Sequence, residues 1–89
     1  MILYHSTLCR PCRMMDALVQ MVRRDYEPQV TFVDVITDQE SNRDLVEVAQ
    51  IHTIPTAVFL SAAGDSKVVA GLMTQQALRA ELAALMGAR

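Results

Sequence analysis

The chain is poor in the features that mark several large functional classes. Its 89 residues contain no tryptophan and only four other aromatics, Tyr4, Tyr26, Phe32 and Phe59. A platform on which nucleic-acid bases stack needs more than that. Eight Lys and Arg stand against ten Asp and Glu, leaving a formal charge of −2 and no basic cluster. Nothing in that balance favours nucleic acid or an anionic membrane surface as a partner. No apolar run approaches the roughly 18 residues of a membrane span. Met1 leads directly into a strand-like run without a charged n-region, an apolar h-region or a cleavage site, so a cytoplasmic protein is expected.

Cysteine is scarce too, and its placement is informative. The only two form Cys9-Arg10-Pro11-Cys12. In a reducing compartment a CxxC pair signals redox or metal chemistry more often than a structural bridge. Ile2 to His5 reads as a short apolar strand, and the residues from Cys9 or Arg10 to about Asp25 read as an amphipathic helix. The expected buried stripe of that helix is Met14, Leu18, Met21 and Val22, with Met15 and Val19 beside it. Pro11 falls in the first turn, where its missing N–H has no helical partner to lose.

The rest of the chain alternates in the same way. Pro28 closes a connection, and Val30 to Val35 is a β-branched run that predicts a second strand. Ser41 and Asp44 have capping-box spacing for a helix ending near Gln50. Ala57 to Leu60 and Lys67 to Ala70 predict a hairpin around Ala63-Gly64-Asp65. Thr74 is the expected N-cap of a last helix with the stripe Leu78, Leu82, Leu85 and Met86. The order βαβαββα predicts one α/β domain over residues 1–89. Two right-handed crossovers and a hairpin would build a four-stranded mixed sheet with helices on both faces.

The CxxC pair therefore sits where a helix begins. Free backbone N–H groups and the positive end of the helix dipole stabilise a thiolate there. Two thiols so placed can open and close a disulfide. The same pair could instead be small core residues, or half of a metal site bridging two chains. A zinc site within one chain is disfavoured, because His5 and His52 lack paired ligand spacing.

Cys9-Arg10-Pro11-Cys12-Arg13, Ile54-Pro55-Thr56 and Gly71 on this scaffold resemble the thioredoxin superfamily. The likeness spans nearly the whole chain but lacks the extra N-terminal strand and helix of full-length thioredoxins, giving a minimal, glutaredoxin-sized version. The resemblance implies a thiol–disulfide oxidoreductase that reduces protein disulfides. Cys9 would be the nucleophile and Cys12 the resolving thiol, the two forming the active-site disulfide. Pro55 would be cis, and Ile54, Pro55 and Gly71 would contact substrate. Arg10, Pro11 and Arg13 would tune the thiols. It further implies no metal or other cofactor, a flavin-dependent thioredoxin reductase as electron donor, and a monomer. Thiols in such sites titrate near 7 rather than 8.5, a shift worth about 2 kcal/mol. A helix terminus supplies at most about 2 kcal/mol, so Cys12 and the arginines are candidates for the remainder.

The chain departs from that pattern in several places. Leu8 stands where thioredoxins have tryptophan, Arg10 where they have glycine, and Ala17 where they often have proline. Leu3 replaces a buried aspartate, for which Asp34 is the nearest substitute by alignment. Two other readings remain: a glutathione-dependent glutaredoxin-like reductase, and a non-catalytic redox sensor or metal-bridged dimer. The six methionines, Met14 and Met15 included, are expected in the core, with an apolar docking patch at Met73 or Leu8 as the alternative reading.

Overall fold

The computed structural model describes residues 1–87. β1 (Ile2–His5) is followed by α1 (Arg10–Val22), which tightens into a 3-10 turn over Arg23–Asp25. β2 (Val33–Ile36) leads through a second 3-10 turn, Glu40–Asn42, into the short α2 (Arg43–Val48). β3 (Thr56–Leu60), β4 (Ser66–Ala70) and α3 (Gln75–Gly87) complete the order. The strands lie β2-β1-β3-β4, with β1 and β2 parallel and β3 antiparallel to both β1 and β4. This is the expected mixed sheet with its hairpin. The expected second crossover is absent. β2 ends beside His5 and β3 starts opposite Tyr4, at the same end of the sheet. Six helical residues rise only about 9 Å, and the chain turns back where it left.

Alternation along the strands divides the sheet into two faces. Leu3, Ala57 and Phe59 point toward Met15, Val19 and Val22 of α1 and Leu78 and Leu82 of α3, with Val30 and Met73 closing the cluster. Tyr4, Val35 and Thr56 are buried on the opposite face. There Val33 and Val68 remain substantially exposed, and α2 contributes no fully buried side chain.

The phase of α1 differs from expectation by about one residue. Cys12, Met15, Val19 and Val22 are buried, whereas Met14 and Met21 face solvent. The helix begins with Cys12 turned inward, and 3.6-residue periodicity carries that orientation to Met15 and Val19. Met73 lies in the core, as expected of the methionines, and not in the alternative docking patch.

The β2 expectation also shifts. Val30 donates to the Tyr26 carbonyl and turns into the core, and regular pairing starts with Val33 opposite Ile2. Ser41 makes no cap: it sits inside the 3-10 turn, and Asn42 at the N-cap of α2 donates to the Ile36 carbonyl instead. Thr74 does cap α3, its Oγ1 accepting from Ala77 N–H at 3.1 Å.

Candidate active site

The register aligns Tyr4 with Thr56, and Thr56 with Ala70. The loops leaving β1, entering β3 and leaving β4 therefore emerge at one end of the sheet. They carry Cys9, Pro55 and Gly71.

Cys9 is the N-cap of α1, with extended backbone (φ −131°, ψ 114°), and its Sγ accepts from Cys12 N–H at 3.2 Å. The Cys9 carbonyl accepts from Arg13 N–H, closing the first turn around Pro11. Cys9 and Cys12 are joined as a disulfide with 5.1 Å between their Cα atoms. Cys9 is half-buried and Cys12 is fully enclosed. The two sulfurs thus differ in access, and the Cys12 N–H points at the more open one.

The Ile54–Pro55 peptide is cis, and so is Glu27–Pro28 at a connection remote from the cysteines in sequence. Pro55 is buried and its carbonyl accepts from Gly71 N–H at 2.7 Å. Gly71 holds φ at +94°, a left-handed conformation that costs glycine least. Thr56 fastens the same turn by donating its hydroxyl to the Thr53 carbonyl. Ile54 is half-buried, and its main-chain groups carry no hydrogen bond among the described residues.

Arg10, Pro11 and Arg13 are exposed. Among the described residues neither Arg10 nor Arg13 forms a salt bridge or a side-chain hydrogen bond. His52 is also exposed. Leu8, immediately before Cys9, is 94% exposed.

Leu3 is buried in the principal core, and its lateral neighbour on β2 is Asp34. The Asp34 carboxylate is open to solvent and lies 3.3 Å from His5 Nε2. It does not occupy the enclosed position vacated at Leu3. His5, Asp16 and Asp34 each bring one ligand-type atom within 4.8 Å of the others. One nitrogen and two carboxylate oxygens can share a proton or contribute to a cation site. Asp16 and Asp38 were not singled out from the sequence. Asp16 lies four residues beyond Cys12, a spacing that places both on neighbouring parts of one helix face. Asp38 accepts from both the N–H and the hydroxyl of Thr7, and these bonds hold its carboxyl below its ordinary range.

The thioredoxin family model matches residues 1–84. A thioredoxin of Borreliella burgdorferi is 27% identical over 74 residues, which is 83% of this chain and 62% of the relative. The chain thus spans less than two thirds of that relative's length. The germline-specific thioredoxin Deadhead of Drosophila melanogaster superimposes with a TM-score of 0.80 at 25% identity, covering 94% of this chain and 77% of that one. Chloroplastic thioredoxin z gives a TM-score of 0.84 at 19% identity, covering 97% and 76%, and shows a shared fold. With the family match running through the CxxC turn, the cis proline and the glycine that bonds it, this chain belongs to the thioredoxin family.

Proposed function

We propose that the chain catalyses thiol–disulfide exchange and reduces disulfides in protein substrates. The observation that carries this reading is the Cys9–Cys12 bond across the first turn of α1, with one sulfur accessible and the other enclosed. In the dithiol form, Cys9 thiolate attacks one sulfur of a substrate disulfide. The Cys9–substrate bond forms as the substrate S–S bond breaks, and the departing substrate sulfur leaves as a thiolate that takes up a proton. Cys12 then loses its proton and attacks Cys9 Sγ, releasing the second substrate thiolate. Two electrons have passed to the substrate, and the Cys9–Cys12 disulfide remains.

The first turn supports the roles of both sulfurs. The bond from Cys12 N–H to Cys9 Sγ stabilises negative charge on Cys9, and charge-assisted bonds are stronger than neutral ones. Enclosure leaves Cys12 unable to meet a bulky substrate directly, which suits it to resolution. Ile54 presents main-chain groups to a docking segment, and Pro55 and Gly71 hold that turn in place. A flavin-dependent reductase is the proposed source of the two electrons that restore the dithiol.

The test is dithiothreitol-driven reduction of a generic protein disulfide. Cys9→Ser should abolish turnover, and Cys12→Ser should accumulate mixed disulfides that separate on a non-reducing gel. Full turnover in Cys9→Ser would sink the reading. Coupled NADPH oxidation with a purified flavin reductase tests the electron donor separately.

A further inference from the structure

Arg10 and Arg13 stand where the local electrostatics of the fold oppose them. Both lie in the first turn of α1, where the positive end of the helix dipole disfavours cations. They are three residues apart, so their side chains are neighbours, and like charges at that spacing repel. The first turn contains no acidic residue to offset them, and neither guanidinium has a salt-bridge partner among the described residues. Asp16, three residues beyond Arg13 on α1, forms no salt bridge with it and accepts from Gln20 instead, and Asp38 is engaged by Thr7. Elsewhere Arg23, Arg43, Lys67 and Arg79 are each paired with a carboxylate; Arg24 also lacks a salt bridge among the described residues, but it follows the C-terminal end of α1, where the helix dipole favours a cation. In a chain of net charge −2, two unpaired cations therefore flank the accessible sulfur. A local conflict of this kind, without a gain to the fold, marks a functional surface.

We infer that Arg10 and Arg13 form a docking surface for protein segments whose target cysteine is flanked by acidic residues. The inference rests on the exchange reading and names the substrate class that the same site takes. An incoming carboxylate removes the repulsion between the arginines and gains charge-assisted hydrogen bonds from the planar guanidinium donors. Leu8, on the other side of Cys9, offers the segment an apolar contact. The charges steer encounter and orient the substrate disulfide toward Cys9, so the effect appears in kcat/KM and weakens with salt.

This role is separable from any effect of the arginines on the thiolate. A change in Cys9 reactivity alters turnover of every substrate alike, whereas docking changes the ratio between substrates. The experiment uses three disulfide-looped peptides identical except for Glu, Gln or Lys at the positions flanking one cysteine. Reduction is driven by dithiothreitol, with the uncatalysed rate subtracted. At low ionic strength the Glu peptide should exceed the Lys peptide in kcat/KM by roughly 2- to 30-fold, the range of two exposed ion pairs. The ratio should approach one in 1 M salt, where screening reaches about 3 Å, and reverse in the double variant R10E/R13E. Gln at both positions should bring it near one.

A ratio near one in the native protein at low salt overturns the proposal. So does a native preference for Glu that persists in R10E/R13E. Absence of turnover with all three peptides overturns the exchange reading and this proposal with it, while equal turnover of all three overturns this proposal alone.

Discussion

His5 Nε2 lies 3.3 Å from Asp34 Oδ1, across the parallel pair β1 and β2. The His5 nitrogen is enclosed and makes no hydrogen bond of good geometry, while nearly half of the Asp34 side chain faces solvent. His5, Asp34 and Asp16 thus form a cluster that joins β1, β2 and α1. The neighbouring position, Leu3, is buried in the apolar cluster formed by the sheet, α1 and α3.

Leu3→Asp should accordingly be strongly destabilising. The substitution removes a buried leucine from the core of α1, α3 and the sheet and encloses a carboxyl without a designed partner. Loss of a core leucine alone costs about 2–5 kcal/mol, and an unpaired buried polar group adds about 1–3 kcal/mol. Urea unfolding should show a loss of at least about 3 kcal/mol. A near-neutral result would mean that His5 or another group reaches the new acid.

Two adjacent methionines should respond very differently. Met15 is fully buried against Leu3 and α3, whereas Met14 is half exposed. Met15→Ala should cost about 2–5 kcal/mol, and Met14→Ala should stay within about 0.5 kcal/mol. Equal losses would contradict the phase of α1.

The helix starts give a second paired comparison. Thr74→Ala removes the bond that Ala77 N–H donates to Oγ1 and should cost about 1 kcal/mol in chemical denaturation. Ser41→Ala removes no cap and should be close to neutral. A larger loss at Ser41 than at Thr74 would restore the capping box expected from spacing alone.

Acid should weaken the tie between the loop carrying Thr7 and the loop carrying Asp38. The folded-state pKa of Asp38 is depressed by the two bonds from Thr7. Its contribution is fully present above the unfolded aspartate pKa, about 3.9. It is lost as pH falls from there through the lower folded value. Thr7→Val removes the hydroxyl donor, so the Asp38 titration followed by NMR should move upward. An unchanged midpoint would mean that another group holds the carboxylate.

Much of the architecture was legible because its signals are local. Pro11 in the turn after Cys9 marked a helix start, a β-branched run marked β2, the apolar run Ala57 to Leu60 marked β3, and Thr74 before an apolar stripe marked α3. The failures came where tertiary packing chose between near-equivalent patterns. Met14 and Met15 are chemically identical, and only the inward turn of Cys12 decides which is buried. Ser41 had good capping spacing, but Asn42 found the Ile36 carbonyl, a partner six residues back in the chain and 2.9 Å away. At the site, CxxC and Pro55 stood out as residues of distinctive chemistry. Asp16, Asp34 and His5 form a group only because α1 is laid across β1 and β2, which no short motif encodes.

Under the proposed exchange reaction, the hydrogen bond from Gly71 to Pro55 limits how firmly a substrate can be held. Proline has no N–H to offer, and its carbonyl is already engaged, so within the Ile54–Pro55 pair only Ile54 has main-chain groups left to pair among the described residues. One or two such bonds contribute only about 0.5–1.5 kcal/mol each. Residence time at the turn is then set by the sulfur–sulfur bond, which forms and breaks within the reaction. Once Cys12 has displaced the substrate from Cys9, little remains at Ile54 to delay its departure.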